Sequence, residues 1–404
     1  PFHNGHKYHI EAAKEACNAD HAVCVMSGSF VQRGEPAIFD KWSRAKMAVM
    51  NGADLVVELP VSYACQPAEI FAFGAVKILD GMGIIENICF GSELGDTEVL
   101  HTLARLLHEE PEDFSIQLRA QLGKGVSYPR AVTAALSSYL GRENEAVIGD
   151  ILGNPNNVLG IEYIKALKTL GSSIQPVAVK RVASGHNDIG ITGDIASATA
   201  IRREIKEWGI SEKVRQSMPS NCVAAVEENI NKGRQPIYMN NFSDLLLYRL
   251  RLLADKELGL YLNSREGIEN RLRKFSLTAS SSDELIEGIK TKRYTRTYIQ
   301  RLLCHILLDI KRSDISAFKA SGCPAYIRVL AFNDKGTRLI KEMKARSAYP
   351  VVTKVADFAS QDDRVSRMFE YDITATNIYN LAYSSTTNKK GMEDYLVSPY
   401  FHRL

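Results

Sequence analysis

The sequence lacks the features that mark membrane proteins, secreted proteins and metal scaffolds. No apolar run among its 404 residues approaches the length needed to cross a bilayer, and there is no signal peptide. Its seven cysteines are scattered, odd in number and include no C-x-x-C pair, which argues against a disulfide framework or a zinc site. We therefore expect a cytoplasmic protein with reduced thiols, no membrane partner and no dedicated metal site.

Basic and acidic residues are divided unevenly between the two halves of the chain. The net charge of +3 hides a first part, residues 1–208, with 19 basic and 25 acidic residues, a net of −6. Residues 209–404 carry 31 basic and 22 acidic residues, a net of +9. A basic half is typical of a protein that holds a polyanion, but charge alone leaves nucleic acid and a merely basic surface equally open.

Hydrophobic patterning predicts an α/β fold in two parts. Short apolar strands at 21–26, 55–59, 84–90 and 174–182 alternate with helical segments, which predicts a mainly parallel sheet covered on both faces. Near residue 210 the pattern becomes mostly helical, with two extended pieces at 326–331 and 351–354. We predict a parallel-sheet domain over residues 1–210 and a mainly α-helical, basic domain over 211–404. Trp42 and Trp208 are expected in the core.

The most informative motif opens the chain, where His3-Asn4-Gly5-His6 precedes the first predicted helix. A helix N-terminus offers free backbone N–H groups and a positive dipole end, and both attract phosphate. Gly5 leaves out a Cβ that would block a close approach, and two imidazoles one turn apart can donate hydrogen bonds to nucleotide phosphates. The alternative is a pair of histidines that only cap the helix. Because Pro1 is not Met and lies within this motif, we expect a short segment to precede it.

A second motif covers residues 195–202, with the sequence IASATAIR. Ser197 and Thr199 lie where a helix is predicted to begin, so they can cap it and hold phosphate oxygens, and Arg202 follows one turn later. Alone, this motif is equally compatible with a plain helix cap. In this order and on these elements, the two motifs resemble the HxGH nucleotidylyltransferase superfamily over about residues 1–208. That resemblance implies a Rossmann-like fold for the first domain.

Further segments resemble the bacterial tRNA(Met) cytidine acetate ligase family, and this resemblance extends over the whole chain. They are residues 26–37 (MSGSFVQRGEPA), 90–93 (FGSE), 154–160 (NPNNVLG), 180–181 (KR) and 292–296 (KRYTR). In that family a short strand ending in Glu-Tyr-Asn precedes the position of Pro1, in line with the missing segment we expect.

The resemblance implies a reaction in two steps. ATP and acetate give acetyl-adenylate and pyrophosphate, and the acetyl group then passes to the wobble cytidine in the anticodon loop of elongator tRNA(Met), forming N4-acetylcytidine. Mg²⁺ is expected to be held mainly by phosphates and water. The resemblance implies His3 and His6 as catalytic residues, and an ATP site that also includes Pro1, Phe2, Asn4, Gly5, Gly91, Asn156, Arg181, Ser197 and Thr199. Residues 27–30 are a candidate for the acetate pocket.

A basic segment, residues 290–301 (KTKRYTRTYIQR), contains no acidic residue. Tyr294 and Tyr298 are four residues apart and are predicted to share one face of a helix. The functional interpretation is a grip on the tRNA backbone, and the alternative is a solvated basic face whose tyrosines pack inward. The basic composition of the whole second half favours the grip. The candidate tRNA-binding residues are Lys290, Lys292, Arg293, Arg296 and Arg301.

Two other functions are compatible with the same motifs. The first is a cofactor-type nucleotidylyltransferase that acts on a small phosphorylated substrate, although such an enzyme needs little beyond the first domain. The second is a non-catalytic tRNA-binding protein with a vestigial nucleotide fold, although His3, His6, Ser197 and Thr199 are all present. No DNA partner is expected.

Overall fold

The first part of the chain alternates strands and helices, as predicted. The structure is a computed structural model that describes residues 1–126, 128–181, 194–261 and 267–404. Its strands here are β1 (Val23–Ser27), β2 (Phe30–Val31), β3 (Glu35–Pro36), β4 (Leu55–Leu59), β5 (Asn87–Ser92) and β6 (Gln175–Lys180). Its helices are α1 (Asn4–Ala16), α2 (Lys41–Val49), α3 (Val61–Ala64), α4 (Ala68–Gly81), α5 (Thr97–Glu109), α6 (Glu112–Gly123), α7 (Tyr128–Leu140), α8 (Glu145–Gly153), α9 (Pro155–Leu170) and α10 (Ala198–Trp208).

The second part is mainly helical, also as predicted. Its helices are α11 (Glu212–Gln216), α12 (Ser220–Asn231), α13 (Ser243–Leu252), α14 (Asp255–Leu258), α15 (Ile268–Thr278), α16 (Ser282–Ile289), α17 (Arg296–Leu308), α18 (Arg312–Ala320), α19 (Asp334–Arg346), α20 (Asp363–Asn380) and α21 (Glu393–Leu396). Its strands are β7 (Ile327–Asn333), β8 (Val351–Val352) and β9 (Tyr400–His402). Short 3-10 helices lie at Arg142–Asn144, Met239–Phe242 and Val355–Asp357.

The central sheet is built from both parts of the chain. β1 runs parallel to β4, β4 runs antiparallel to β7, and β7 runs parallel to both β8 and β9. A second, smaller sheet pairs β5 with β6 in parallel. The sequence division at residue 210 stays a prediction, because the β4–β7 pairing joins strands from its two sides. The parallel strands β1 and β4 end at the same edge, where ligands of such sheets bind.

A buried ion network ties the two parts together under the β4–β7 pairing. The ammonium of Lys41 lies 2.9 Å from the carboxylate of Glu58 and 2.7 Å from that of Asp394. Arg328, on β7, pairs with both carboxylates, at 3.2 Å from Glu58. All four side chains are nearly inaccessible to solvent. Each charge has two partners of opposite sign, and these attractions offset the desolvation of the four groups.

The two tryptophans have different surroundings. Trp42 is buried on α2, as predicted, whereas the prediction for Trp208 is wrong, because it is 73% exposed at the end of α10. The buried face of α10 is formed by Ile201 and Ile205, and it ends one turn before Trp208. Within the part of the chain that the structure describes, no helix is both long enough and apolar enough to span a membrane.

Candidate active site at the start of α1

The two histidines of the first motif lie against each other at the beginning of α1. Their ring centroids are 3.8 Å apart, and the backbone N–H of His3 donates to Nδ1 of His6 at 3.3 Å. His6 therefore caps the helix, as the alternative interpretation holds. His3 does something else, because its Nδ1 is buried and has no hydrogen-bond partner among the described residues. A buried polar atom without a partner is rare in proteins and points to a ligand group that would supply the missing bond.

Gly5 makes room for the ring of His3. A Cβ at Gly5 would lie 3.0 Å from both Cε1 and Nδ1 of that ring, which is closer than ordinary contacts, and 3.5 Å from Cγ2 of Ile195. The glycine is thus needed for the packing of the imidazole itself, whereas the sequence suggested a direct approach of the backbone to phosphate. A side chain at this position would require the His3 ring to shift by a few tenths of an ångström.

Burial sets the protonation state of the imidazole pair. It lowers the pKa of His3 well below the ordinary value and lowers the pKa of His6 to about 3. The positive charge of Arg181 acts in the same direction on both rings. Both imidazoles are therefore neutral at pH 7, so they can offer N–H donors to an anion but no full positive charge.

The structure brings the second motif next to the first. The side-chain amide of Asn4 donates to the backbone carbonyls of Asp194 and Gln216, both at 2.8 Å. Phe2 is buried in one hydrophobic cluster with Ala196 and Ile201, so its side chain belongs to the core. The beginnings of α1 and α10 are therefore neighbours, and their free backbone N–H groups can face one anion.

Ser197 and Thr199 have different roles at the start of α10. The hydroxyl of Ser197 accepts a hydrogen bond from the backbone N–H of Ala200 at 3.1 Å, so Ser197 is a helix cap in this structure. Thr199 is exposed, and its hydroxyl accepts a hydrogen bond from the guanidinium of Arg33 at 2.8 Å. Only the second hydroxyl thus has a partner that a ligand could replace without uncapping the helix.

Three more of the predicted residues lie at or beside the carboxyl ends of β5 and β6. The side chain of Arg181 lies over Gly91, where a Cβ would be 3.3 Å from its Cγ. Asn156 lies in the first turn of α9, and its amide donates to the carboxylate of Glu93. That carboxylate also accepts from the backbone N–H of Asn157 at 3.2 Å. Glu93 thus orients Asn156. The two residues belong to the FGSE and NPNN segments, but the sequence does not reveal that they contact each other.

These geometries are accompanied by close similarity to known proteins. The model of the family HIGH Nucleotidyl Transferase matches residues 1–394. The tRNA(Met) cytidine acetate ligase of Acetivibrio thermocellus is 41% identical over 98% of this chain and 96% of its own length. That of Caldanaerobacter subterraneus subsp. tengcongensis is 44% identical over 95% and 94% of the two chains. The chain belongs to the tRNA(Met) cytidine acetate ligase family.

Solved structures of the family confirm the predicted fold class. The crystal structure of apo Thermotoga maritima TmcAL (form I) matches with a TM-score of 0.94 at 35% identity, covering 100% of this chain and 97% of that one. The form II crystal of the same protein, bound with alpha-thio ATP, matches with a TM-score of 0.93 at 34% identity over the same shares. The Rossmann-like sheet domain followed by helices is therefore shared with the ligase family.

The loop between β1 and α2 connects the start of α10 to α17. Its Glu35 carboxylate pairs with Arg202 at 3.3 Å and accepts from the amide of Gln300 at 2.8 Å. Its Gly34 packs against the backbone of α17, and Arg44 anchors its start by donating to the carbonyl of Ser27, the last residue of β1, at 2.9 Å. Residues 28–30 are buried, which argues against an acetate pocket formed by their side chains.

The basic segment of this ligase-family chain is only partly helical. α17 begins at Arg296, where the hydroxyl of Thr295 accepts a hydrogen bond from the backbone N–H of Tyr298. Lys290, Lys292 and Arg293 therefore lie on the exposed connection that precedes the helix, and only the part of the segment from Arg296 onward is helical. The reason is local, because the Thr295 cap fixes the start of the helix within the basic run.

Three of the five basic residues are already engaged or enclosed. Arg296 pairs with the carboxylates of Asp283 at 2.9 Å and Glu287 at 2.5 Å. Arg301 is half-buried, its Nε has no hydrogen-bond partner within the described residues, and burial lowers its pKa. The rings of Tyr294 and Tyr298 stack on each other, with centroids 5.9 Å apart. The side chains exposed to a partner are those of Lys290, Lys292 and Arg293. Lys290 also pairs with Glu287 at 3.3 Å.

Proposed function

We propose that this chain uses ATP to activate acetate as acetyl-adenylate and transfers the acetyl group to the wobble cytidine of elongator tRNA(Met). The product is N4-acetylcytidine. The observation that carries the proposal is the joining of the imidazole pair of α1 to the start of α10 in a chain that belongs to the tRNA(Met) cytidine acetate ligase family. This arrangement can hold a triphosphate between two helix N-termini.

In the first step an acetate oxygen attacks the α-phosphorus of ATP. The new bond joins that oxygen to phosphorus, the bond from phosphorus to the bridging oxygen breaks, and pyrophosphate leaves with the electron pair. No covalent nucleophile of the protein is needed, because the catalyst must only align the reactants and stabilise the charge that moves onto pyrophosphate. The neutral imidazoles of His3 and His6 offer N–H donors for that purpose.

The other nucleotide contacts in this proposal are residues at the start of α1 and on the elements around it. Pro1, Phe2, Asn4 and Gly5 contribute through the backbone, since the side chain of Phe2 is in the core and that of Asn4 is held by two carbonyls. The further ATP contacts are Gly91, Asn156, Arg181, Ser197 and Thr199. Mg²⁺ would be held mainly by phosphate oxygens and water. Among the described residues, no three His, Cys, Asp or Glu side chains form a metal site.

In the second step the exocyclic amine of cytidine attacks the acetyl carbonyl, and AMP leaves. That amine is a weak nucleophile because its lone pair is delocalised into the ring, so positioning dominates. An anticodon-loop base is single-stranded and can enter a pocket without opening a duplex. We assign the phosphate contacts of the tRNA to Lys290, Lys292 and Arg293, the exposed cations beside α17, and expect the reaction to take place in the cytoplasm.

The test is a product analysis. Purified protein is incubated with tRNA(Met), ATP and labelled acetate, and the digested tRNA is examined for N4-acetylcytidine at the wobble position. We expect product that requires both ATP and acetate and that does not form from acetyl-coenzyme A without ATP. Retention of tRNA with no product under any of these conditions would support a non-catalytic tRNA-binding protein and contradict the proposal.

A charge-reversal pair tests the tRNA assignment. Lys292→Glu with Arg293→Glu should weaken tRNA binding by about tenfold or more and reduce its salt dependence, because two phosphate contacts are lost. The matched control is Arg119→Glu with Lys124→Glu, the same charge change at exposed positions of α6 and its end. Equal losses in the two double variants would show that net charge, rather than this segment, is responsible.

A further inference from the structure

Four arginines surround the starts of α1 and α10, and two of them are already committed. Arg202 pairs with Glu35 and donates to the carbonyl of Pro36. Arg44 donates to the carbonyls of Phe39 at 3.0 Å and Ser27 at 2.9 Å. Arg181 and Arg33 differ from these, because neither guanidinium forms an ion pair with a described residue. The resemblance to the ligase family implies a nucleotide contact for Arg181, whereas Arg33, in segment 26–37, has not been assigned a role above.

Arg33 occupies a position that is unfavourable without an anion. It is exposed on the loop after β1, and its guanidinium donates to the hydroxyl of Thr199 in the first turn of α10. The N-terminus of a helix carries the positive end of the helix dipole, which repels a cation and attracts an anion. The neutral hydroxyl does not compensate this repulsion, whereas a phosphate between Arg33 and the helix would.

A second observation points to a ligand at the neighbouring start of α1. The buried Nδ1 of His3 has no hydrogen-bond partner within the described chain, and His3 precedes the helix whose first residue contacts the segment leading to α10. Arg181 approaches this helix start from the end of β6, on which α1 packs, and Arg33 approaches the neighbouring start of α10 from the loop after β1. Two cations that form no ion pair with a described residue thus lie at two neighbouring helix starts.

We propose that Arg33 binds the β- and γ-phosphates of ATP and holds the pyrophosphate as it leaves in the adenylation step. The inference rests on the proposed function and adds a residue to its first step. On binding, the guanidinium exchanges the hydroxyl of Thr199 for two non-bridging phosphate oxygens, with which its planar fork matches well. No proton is transferred, and the electron pair of the broken bond stays on the oxygen that bridged the α- and β-phosphorus, which becomes a terminal oxygen of pyrophosphate.

The adenylation step is tested by acetate-dependent exchange of labelled pyrophosphate into ATP. Arg33→Gln should raise the KM for pyrophosphate on the order of 10- to 100-fold, the range expected for losing a charge-assisted hydrogen bond. Arg33→Lys should retain an intermediate activity, because the charge is kept and the fork is lost. The matched control is Arg203→Gln, an exposed arginine of α10 that pairs with Glu207 at 2.7 Å, and it should exchange like the wild type.

The transfer step separates this role from other roles of Arg33. When acetyl-adenylate is supplied directly with tRNA(Met), pyrophosphate takes no part, so Arg33→Gln should transfer the acetyl group at the wild-type rate. Loss of transfer in that variant would overturn the inference, because Arg33 would then act on tRNA or on the fold. Unchanged exchange in Arg33→Gln would overturn it as well. If the wild type shows no acetate-dependent exchange, the proposed function itself fails and the inference falls with it.

Discussion

The contact between the loop after β1 and helix α17 makes Gly34 one of the least replaceable residues outside the core. Its φ of +74° is in the left-handed region, and a Cβ would lie 2.2 Å from N and 2.6 Å from Cα of Arg301. These are backbone atoms, so no change of rotamer can relieve the overlap. To bring the first distance to an ordinary 3.4 Å, loop and helix must separate by about 1.2 Å.

Gly34→Ala should therefore destabilise the protein through two separate costs. Placing alanine in the left-handed region costs about 1–2 kcal/mol, and overpacking against a fixed backbone adds about 1–3 kcal/mol. We expect the free energy of unfolding in urea to fall by about 2–5 kcal/mol in total. Separation of the loop from α17 should also shift Arg33 and raise the KM for pyrophosphate in the exchange assay.

Gly125 provides the matched control. Its φ is also +74°, but no atom lies within 4 Å of a Cβ built there. Gly125→Ala should therefore show only the conformational cost of about 1–2 kcal/mol and normal exchange. Equal losses of stability in the two variants would refute the close packing of the loop against α17.

Three further predictions concern the buried charges, the histidine pair and the adenosine side of the site. Lys41→Met should lower the free energy of unfolding, measured by urea titration, by about 3 kcal/mol, because Glu58 and Asp394 lose a buried partner. Lys46→Met, on the same helix, breaks a partly exposed pair and should lower it by less than about 1 kcal/mol. Burial lowers the pKa of His6 from 6.5 to about 3, so between these pH values the unfolded chain binds a proton that the folded chain does not. The contribution of His6 to the free energy of unfolding should therefore be complete above pH 6.5 and fall as the pH drops towards 3. His6→Gln should flatten that fall, measured as urea midpoints across this pH range. Gly91→Ala should change the free energy of unfolding by less than about 1 kcal/mol, because the flexible side chain of Arg181 can move away. The same movement of Arg181 should raise the KM for ATP. An unchanged KM in steady-state exchange would show that Arg181 can bind nucleotide from another position.

Local sequence patterns predicted most elements of the fold because each depends on near neighbours. The apolar run 55–59 coincides with β4. The extended piece at 326–331 was also visible, but its place beside β4 was not. No local pattern states which distant strand is the partner, and the ions that fix this pairing, Glu58 and Arg328, are far apart in sequence.

The candidate site was predictable where one helix turn holds the chemistry. His3 and His6 lie together, and Thr199 lies at the start of the neighbouring helix, as their motifs indicated. The role of Gly5 in making room for the His3 ring depends on side-chain packing, which the motif does not specify. So does the enclosure of Arg301, whose periodic position on α17 does not reveal the loop that covers it.

The contact between Arg33 and Thr199 joins a loop and a helix that are separated by most of the first domain. The sequence indicates only an arginine in a loop of mixed composition and a threonine at the start of a helix. The fold shows that the two side chains meet at the start of α10, the helix next to the start of α1. Sequence analysis misses such a contact because no local pattern reveals which distant residues are neighbours.

The most direct test of the central claim is acetate-dependent exchange of labelled pyrophosphate into ATP by the wild type and by His6→Ala. The account predicts exchange that requires acetate in the wild type, and a loss on the order of 100- to 1,000-fold in the variant, as when one aligned donor to a charged transition state is removed. Binding of tRNA to the variant should stay at the wild-type level, since the basic segment is untouched. Exchange by His6→Ala at the wild-type rate would contradict the claim that the imidazole pair holds the triphosphate for attack.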